Sequence, residues 1–168
     1  MKIAMMDTTP SVAESQPNVP QDMIPQQYEE QYIVDYSKYY GVLEIPRIGL
    51  KRGFYNVGSR YNNIQYNVTL NPGSVMPSEG YGNLVLTAHS GDSYISYFAY
   101  LYRLSEGDDC YITYNGVVYH YQIVRIYNVT KSGVVMVDFE PEIMRLTLIT
   151  CTKDSDTQQT VYIANYVG

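Results

Sequence analysis

An all-β fold, barrel or sandwich, follows from three features of this 168-residue sequence. From Gly41 onward, short apolar and β-branched runs recur at regular spacing, each cut by Gly, Pro, Asn or Asp, with no long helical period between them. Asn115-Gly116 separates two such runs, and Asn-Gly is the preferred type I′ hairpin turn because both residues tolerate positive φ. Arg145-Leu-Thr-Leu-Ile-Thr-Cys151-Thr152 reads as a central strand, with Leu146, Leu148 and Thr150 on one face and Arg145, Thr147, Ile149 and Cys151 on the other.

Taken in order, residues 1–27 carry scattered Pro, Gln, Ser and Thr without an apolar period or a stretch long enough to cross a bilayer, and read as a flexible leader or added linker. Over 28–40, Tyr28, Tyr32, Tyr36 and Tyr39 fall on a rough helical spacing that Gly41 ends, which predicts a short N-terminal helix. Residues 41–168 form the β-domain. Val42 to Gly49 is its first strand, with Pro46 marking an edge or a bend. Phe54 to Gly58 and Ile64 to Val68 follow, then a Pro72-Gly73 turn and the apolar run Leu84 to Ala88. Tyr94 to Leu101 offers one or two helical turns with Ile95, Phe98 and Leu101 on one side. The hairpin strands are Cys110 to Tyr114 and Val117 to Ile126; Val129 to Met144 connects them to the Cys151 strand, and Thr160 to Val167 is the last strand.

The composition narrows the function. A hydrophobic fraction of 45% suits one soluble domain with a modest core. A net charge of -6 with no Lys/Arg cluster argues against nucleic acid or an anionic membrane surface as the main partner. Two cysteines, Cys110 and Cys151, are too few for a disulfide framework and read as free thiols. Dispersed aspartates give no ligand-dense loop, so neither a metal nor another cofactor is expected. The 20 tyrosines without a tryptophan suggest strand faces and a groove that are apolar in body and polar at the tip.

Two stretches carry chemistry. Cys151 stands where a rigid strand gives way to the polar run Lys153-Asp-Ser-Asp-Thr157, a suitable place for a nucleophile, although a lone Cys is more often a small buried hydrophobe. In Asn83-Leu-Val-Leu-Thr-Ala-His89-Ser-Gly-Asp92, a second apolar strand delivers a histidine into a turn, and a nucleophilic thiol needs a partner of that kind. His120, in mid-strand, reads as structural.

These residues resemble the sortase family of cysteine transpeptidases. The family's Thr-Leu-x-Thr-Cys motif matches residues 147–151 at every fixed position, the upstream strand ends in Ala-His, and Gly41 to Ile48 is similar to the family's Gly-x-x-x-Ile-Pro-x-Ile opening. The resemblance runs from about Gly41 to Val167 and implies a closed β-barrel of about eight strands with short helices. It implies Cys151 as nucleophile and His89 as acid and base, with cleavage of a Leu-Pro-x-Thr-Gly-type sorting signal through a thioester. The implied acceptor is an amine of cell-wall precursor or a pilin lysine. It further implies a monomer at the outer face of the cytoplasmic membrane of a Gram-positive-type cell, although the anchoring helix usual in the family is not found in this sequence.

One position departs from the pattern. Where sortases carry an Arg at the start of the strand after the Cys loop, this chain has Gln159, or Gln158 in a shifted register, and no Arg follows Arg145. A Gln amide donates a neutral hydrogen bond, about half as strong as a charge-assisted one. Arg52, Arg103 and Arg125 are the arginines to consider as substitutes. Substrate choice is expected from Lys131 to Met144, with Val135, Met136 and Ile143 in an apolar wall, and from Ala88 and Thr150 beside the nucleophile. The alternative is a catalytically impaired member that binds sorting signals or cell-wall material. A redox pair of Cys110 and Cys151 is disfavoured, since no Cys-x-x-Cys is present.

Overall fold

Residues 146–149 alternate between two apolar environments. Leu146 and Leu148 are buried in the main core, while Ile149 packs with Val85, Val161 and Ile163 on the opposite face. A strand buried on both sides belongs in the middle of a sheet. The computed structural model, which describes residues 34–135, 137 and 140–168, places it there. The predicted leader (1–27), most of the predicted helix (28–40) and Met136 lie outside the described residues.

The unit from Tyr36 to Gly168 contains one sheet of eight strands. These are β1 (Gly41–Ile45), β2 (Leu50–Phe54), β3 (Thr69–Leu70), β4 (Gly82–Thr87), β5 (Asp109–Tyr114), β6 (Val117–Thr130), β7 (Met144–Cys151) and β8 (Gln158–Tyr166). The spatial order is β2-β1-β5-β6-β8-β7-β4-β3. A parallel bridge between Phe54 and Val68 brings the two outer ends of this order together, so the sheet is a nearly closed barrel. All pairings between named strands are antiparallel except β4 with β7. Among the described residues no helix is long and apolar enough to cross a membrane.

The barrel interior is filled by side chains that include Leu43, Ile45, Phe54, Leu84, Leu86, Phe98, Leu101, Ile112, Leu146 and Leu148, all at most 1% exposed. Phe54 lies so close to β1 that a Cβ on Gly41 would come within 2.5 Å of its ring, so only glycine fits there. The smaller cluster on the outer face is covered by Val135 and Val137 of the β6–β7 connection. That connection returns to the barrel at Glu140, whose carboxylate accepts from Arg145 Nη2, while Arg145 Nε donates to Asn165 Oδ1 at 3.0 Å.

The Asn115-Gly116 turn has φ of 51° and 78°, the signs of a type I′ turn. Other boundaries differ from expectation. The first strand stops at Ile45, and Pro46–Ile48 is a 3-10 turn whose last amide bond is made by Gly49 in the left-handed region. The expected strand at 54–58 is instead β2, which ends at Phe54. Ile64 to Val68 folds as turns, because Asn63 Oδ1 captures the Gln65 amide and Asn62 bonds both backbone groups of Leu70. Residues 94–101 form successive tight turns rather than a helix. β6 continues to Thr130, beyond the expected Ile126 and past a register shift between Ile123 and Arg125.

Candidate active site

Cys151 is the last residue of β7, and β4 is its parallel neighbour, with Leu86 beside Leu148 and Thr87 beside Ile149. Parallel strands leave a sheet at the same end, so whatever follows β4 emerges beside Cys151. The Ala88 amide donates to the Ile149 carbonyl (3.4 Å), and Thr150 Oγ1 donates to the Ala88 carbonyl (2.7 Å). His89 thus follows two residues after β4, at the end of the sheet where β7 finishes in Cys151. Ser90 Oγ then donates to the Cys151 carbonyl (2.8 Å), which pins the β4 exit to the β7 exit. By alternation, Cys151 shares the outer face of β7 with Thr147 and Ile149.

On the other side of β7, Gln159 of β8 is the cross-strand partner of Cys151, and Val129 of β6 is the partner of Gln159. Gln158, the shifted-register alternative to Gln159, pairs with Thr130 and points to the opposite side of β8.

Two open spaces meet at Cys151. One, of about 700 Å³, is polar: Ser90 to Asp92 form one wall, Tyr100 and Tyr102 another, and Thr152 to Asp156 a third. A smaller space of about 220 Å³ runs beneath it toward Phe98, Leu104 and Tyr162. His89 precedes Ser90 and lies outside these walls. Beside them on the outer face is a groove of about 430 Å³, walled by Pro72, Val85, Val135, Val137 and Ile149, with Gln159 at its end near Cys151.

The two thiols differ sharply. Cys110 is fully buried in the barrel interior, and that burial, reinforced by Asp108 and Asp109, pushes its pKa up to about 12. Cys151 is half-buried at a cavity wall. Three strand-to-strand steps separate β5 from β7, far more than the roughly 7 Å between Cα atoms that a disulfide spans, which removes the redox pair. Alkylation of the folded protein at pH 8 should therefore modify one thiol, Cys151, and a second should react only in denaturant. Two reactive thiols in the folded state, seen by intact mass, would contradict the burial of Cys110.

The model of the sortase domain matches residues 43–167. The chain belongs to the sortase family. No curated protein is a match by sequence. Among solved structures, sortase A from Corynebacterium diphtheriae superposes with a TM-score of 0.68 at 26% identity, over 77% of this chain and 61% of that one. Sortase C1 of Group B Streptococcus pilus island 1 gives 0.67 at 25% identity, covering 84% and 70%. Sortase C2 of the same island gives 0.68 at 23% identity, covering 86% and 81%, which is a likeness of fold. This sortase chain thus spans about three-fifths of the first of these relatives.

The expected substrate-contacting residues divide. Val135 lies in the groove wall. Thr150 is 5% exposed and commits its hydroxyl hydrogen to Ala88, itself 3% exposed, so the pair ties β4 to β7 instead of presenting a donor to substrate. Ile143 precedes β7 by one residue, roughly 25 Å of strand from Cys151, and its carbonyl accepts from the Gly82 amide at the far end of the barrel. It is not among the residues that wall the groove with Val135.

None of the three arginines considered as substitutes lines a cavity at Cys151. Arg52 bonds Asn67 Oδ1 and stacks on Tyr97, Arg103 lies over Tyr100 and Tyr102, and Arg125 lies over Tyr127 at the level of Ile163, four residues along β8 from Gln159. Lys131, the first residue of the segment expected to set substrate choice, borders both the polar chamber and the groove. No motif marks it; only its place one residue beyond β6 does so.

Proposed function

We propose that this chain is a cysteine transpeptidase that cleaves a Leu-Pro-x-Thr-Gly-type sorting signal and transfers the released carboxyl end to an amine. The observation that carries this reading is the parallel pairing of β4, which Ala-His89 follows directly, with β7, which ends in Thr-Cys151. In the first step the Cys151 thiolate adds to the carbonyl carbon of the signal's threonine, and the carbonyl electrons move onto oxygen. Collapse breaks the C–N bond, and the departing amine takes a proton from the His89 imidazolium, leaving a thioester on Cys151. An incoming amine then attacks the thioester, passes its surplus proton to His89, and the thiolate leaves.

The two spaces divide this work. The apolar groove suits the Leu-Pro portion of the donor, and the polar chamber beyond Cys151 gives the amine a wet approach to the thioester. The acceptor is then a cell-wall precursor amine or a pilin lysine, and the working place is the outer face of the cytoplasmic membrane. A second reading, a sorting-signal-binding protein of low activity, is favoured by the uncharged Gln159 opposite Cys151.

Incubation with a Leu-Pro-x-Thr-Gly peptide library, followed by intact-mass analysis, separates the readings. The transpeptidase acquires an acyl adduct on Cys151 that an added amine discharges. Peptide binding without any adduct, with the Cys151 thiol still alkylatable, would leave the binding protein as the correct reading.

A further inference from the structure

We infer that Lys131 supplies the positive charge that stabilises the oxyanion formed when Cys151 attacks its substrate, the charge that Gln159 cannot provide. This assignment rests on the transpeptidase reading above. A tetrahedral oxyanion in a partly dry cleft is stabilised most by preset donors and cations near the place where its charge develops. The neutral amide of Gln159 stands directly across from Cys151, so any full charge must come from a neighbouring element.

Lys131 occupies the right place. Its amide donates to the Thr157 carbonyl (2.8 Å), which holds it just past the final pair of the β6–β8 ladder, Thr130 with Gln158. Alternation puts it on the same face as Val129, which pairs with Gln159, which pairs with Cys151. Two strand spacings and a two-residue offset put its Cα about 12 Å from that of Cys151. A lysine stem covers roughly half of that gap. The remainder is the width of the substrate's reacting group. Lys131 is exposed and, among the described residues, is the one that borders both the chamber containing Cys151 and the groove containing Gln159.

The other ammonium in the chamber is committed elsewhere. Lys153 bonds Asp154 Oδ2 at 3.0 Å and lies over the Tyr102 ring at 5.1 Å. No ion pair to Lys131 occurs among the described residues. Because the connection leaving Lys131 also forms the wall of the groove, a donor peptide bound there passes its ammonium on the way to Cys151.

The test uses the full chain and a library peptide that acylates Cys151. Lys131→Gln should lower the acylation kcat by about 10²-fold or more with little change in KM, and Lys131→Arg should keep most of the rate. Installing Gln159→Arg in the Lys131→Gln chain should recover at least roughly tenfold, because the charge returns from the adjacent strand. Acylation by Lys131→Gln at the unaltered rate overturns the assignment, and so does a loss confined to KM, which would make Lys131 a substrate-binding residue only. Absence of acylation in the unaltered chain, with every library peptide, defeats the transpeptidase reading itself and this assignment with it.

Discussion

Cys151→Ala should acquire no acyl adduct from any peptide and should transfer none to an amine, a fall of about 10⁴-fold or more relative to the unaltered chain. The magnitude follows from what is removed. Without the sulfur there is no atom to carry the thioester, and only binding and charge complementarity are left to assist a slow attack by water. The substitution is gentle on the fold, since Cys151 is half-buried at a cavity wall and its backbone contacts to Gln159 and Ser90 persist. Equal product release by Cys151→Ala and the unaltered chain, measured by chromatography of the cleaved peptide, would eliminate the covalent mechanism.

His89→Ala should slow acylation by about 10²- to 10⁴-fold while leaving the Cys151 thiol present and open to a small alkylating reagent. The loss arises because the departing amine, a poor leaving group, must acquire a proton as the C–N bond breaks. His120→Ala is the natural comparison. His120 Nε2 bonds Asp109 Oδ1 at 2.7 Å and its ring stacks on Tyr111 at 4.7 Å, toward the end of β6 away from Val129 and Gln159, so acylation should proceed at the unaltered rate. That same bond, more than any other contact, holds the Asp109 carboxyl below its ordinary pKa. Retention of full activity by His89→Ala would remove it from the reaction.

Much of this architecture was legible because it is local. The alternation from Arg145 to Cys151 fixed which side chains enter the barrel, and Leu146 and Leu148 are in the core while Ile149 is outside it. Asn115-Gly116 fixed one hairpin for the same reason. The β1–β2 pairing was missed: Lys51 and Arg52 interrupt the apolar pattern of an edge strand, and Gly53 is there to admit the Tyr39 ring, which would lie about 2.1 Å from a Cβ. Ile64 to Val68 misled in the opposite direction, since its alternation is genuine but asparagine side chains take the backbone bonds.

The site divides along similar lines. Cys151 and His89 stand out as candidates from short motifs and Gln159 from counting back along the last strand, whereas the parallel β4–β7 ladder joins segments some sixty residues apart and has no local signature. Thr150 looked like a donor because it adjoins Cys151 in sequence, yet adjacent strand residues point to opposite faces, and its hydroxyl serves Ala88. Lys131 was named only as the start of a segment, because its place between the chamber and the groove depends on neighbours on other strands.

The junction between β2 and β3 gives the barrel one compliant side. Seven of its contacts between strands are regular ladders, while the last is a single bridge helped by side chains such as Arg52 and Asn67. Asn71 and Pro72, which wall the groove, follow directly from that junction. Cys151, by contrast, stands at the end of a strand laddered on both sides, to β4 and to β8, on the uninterrupted part of the sheet.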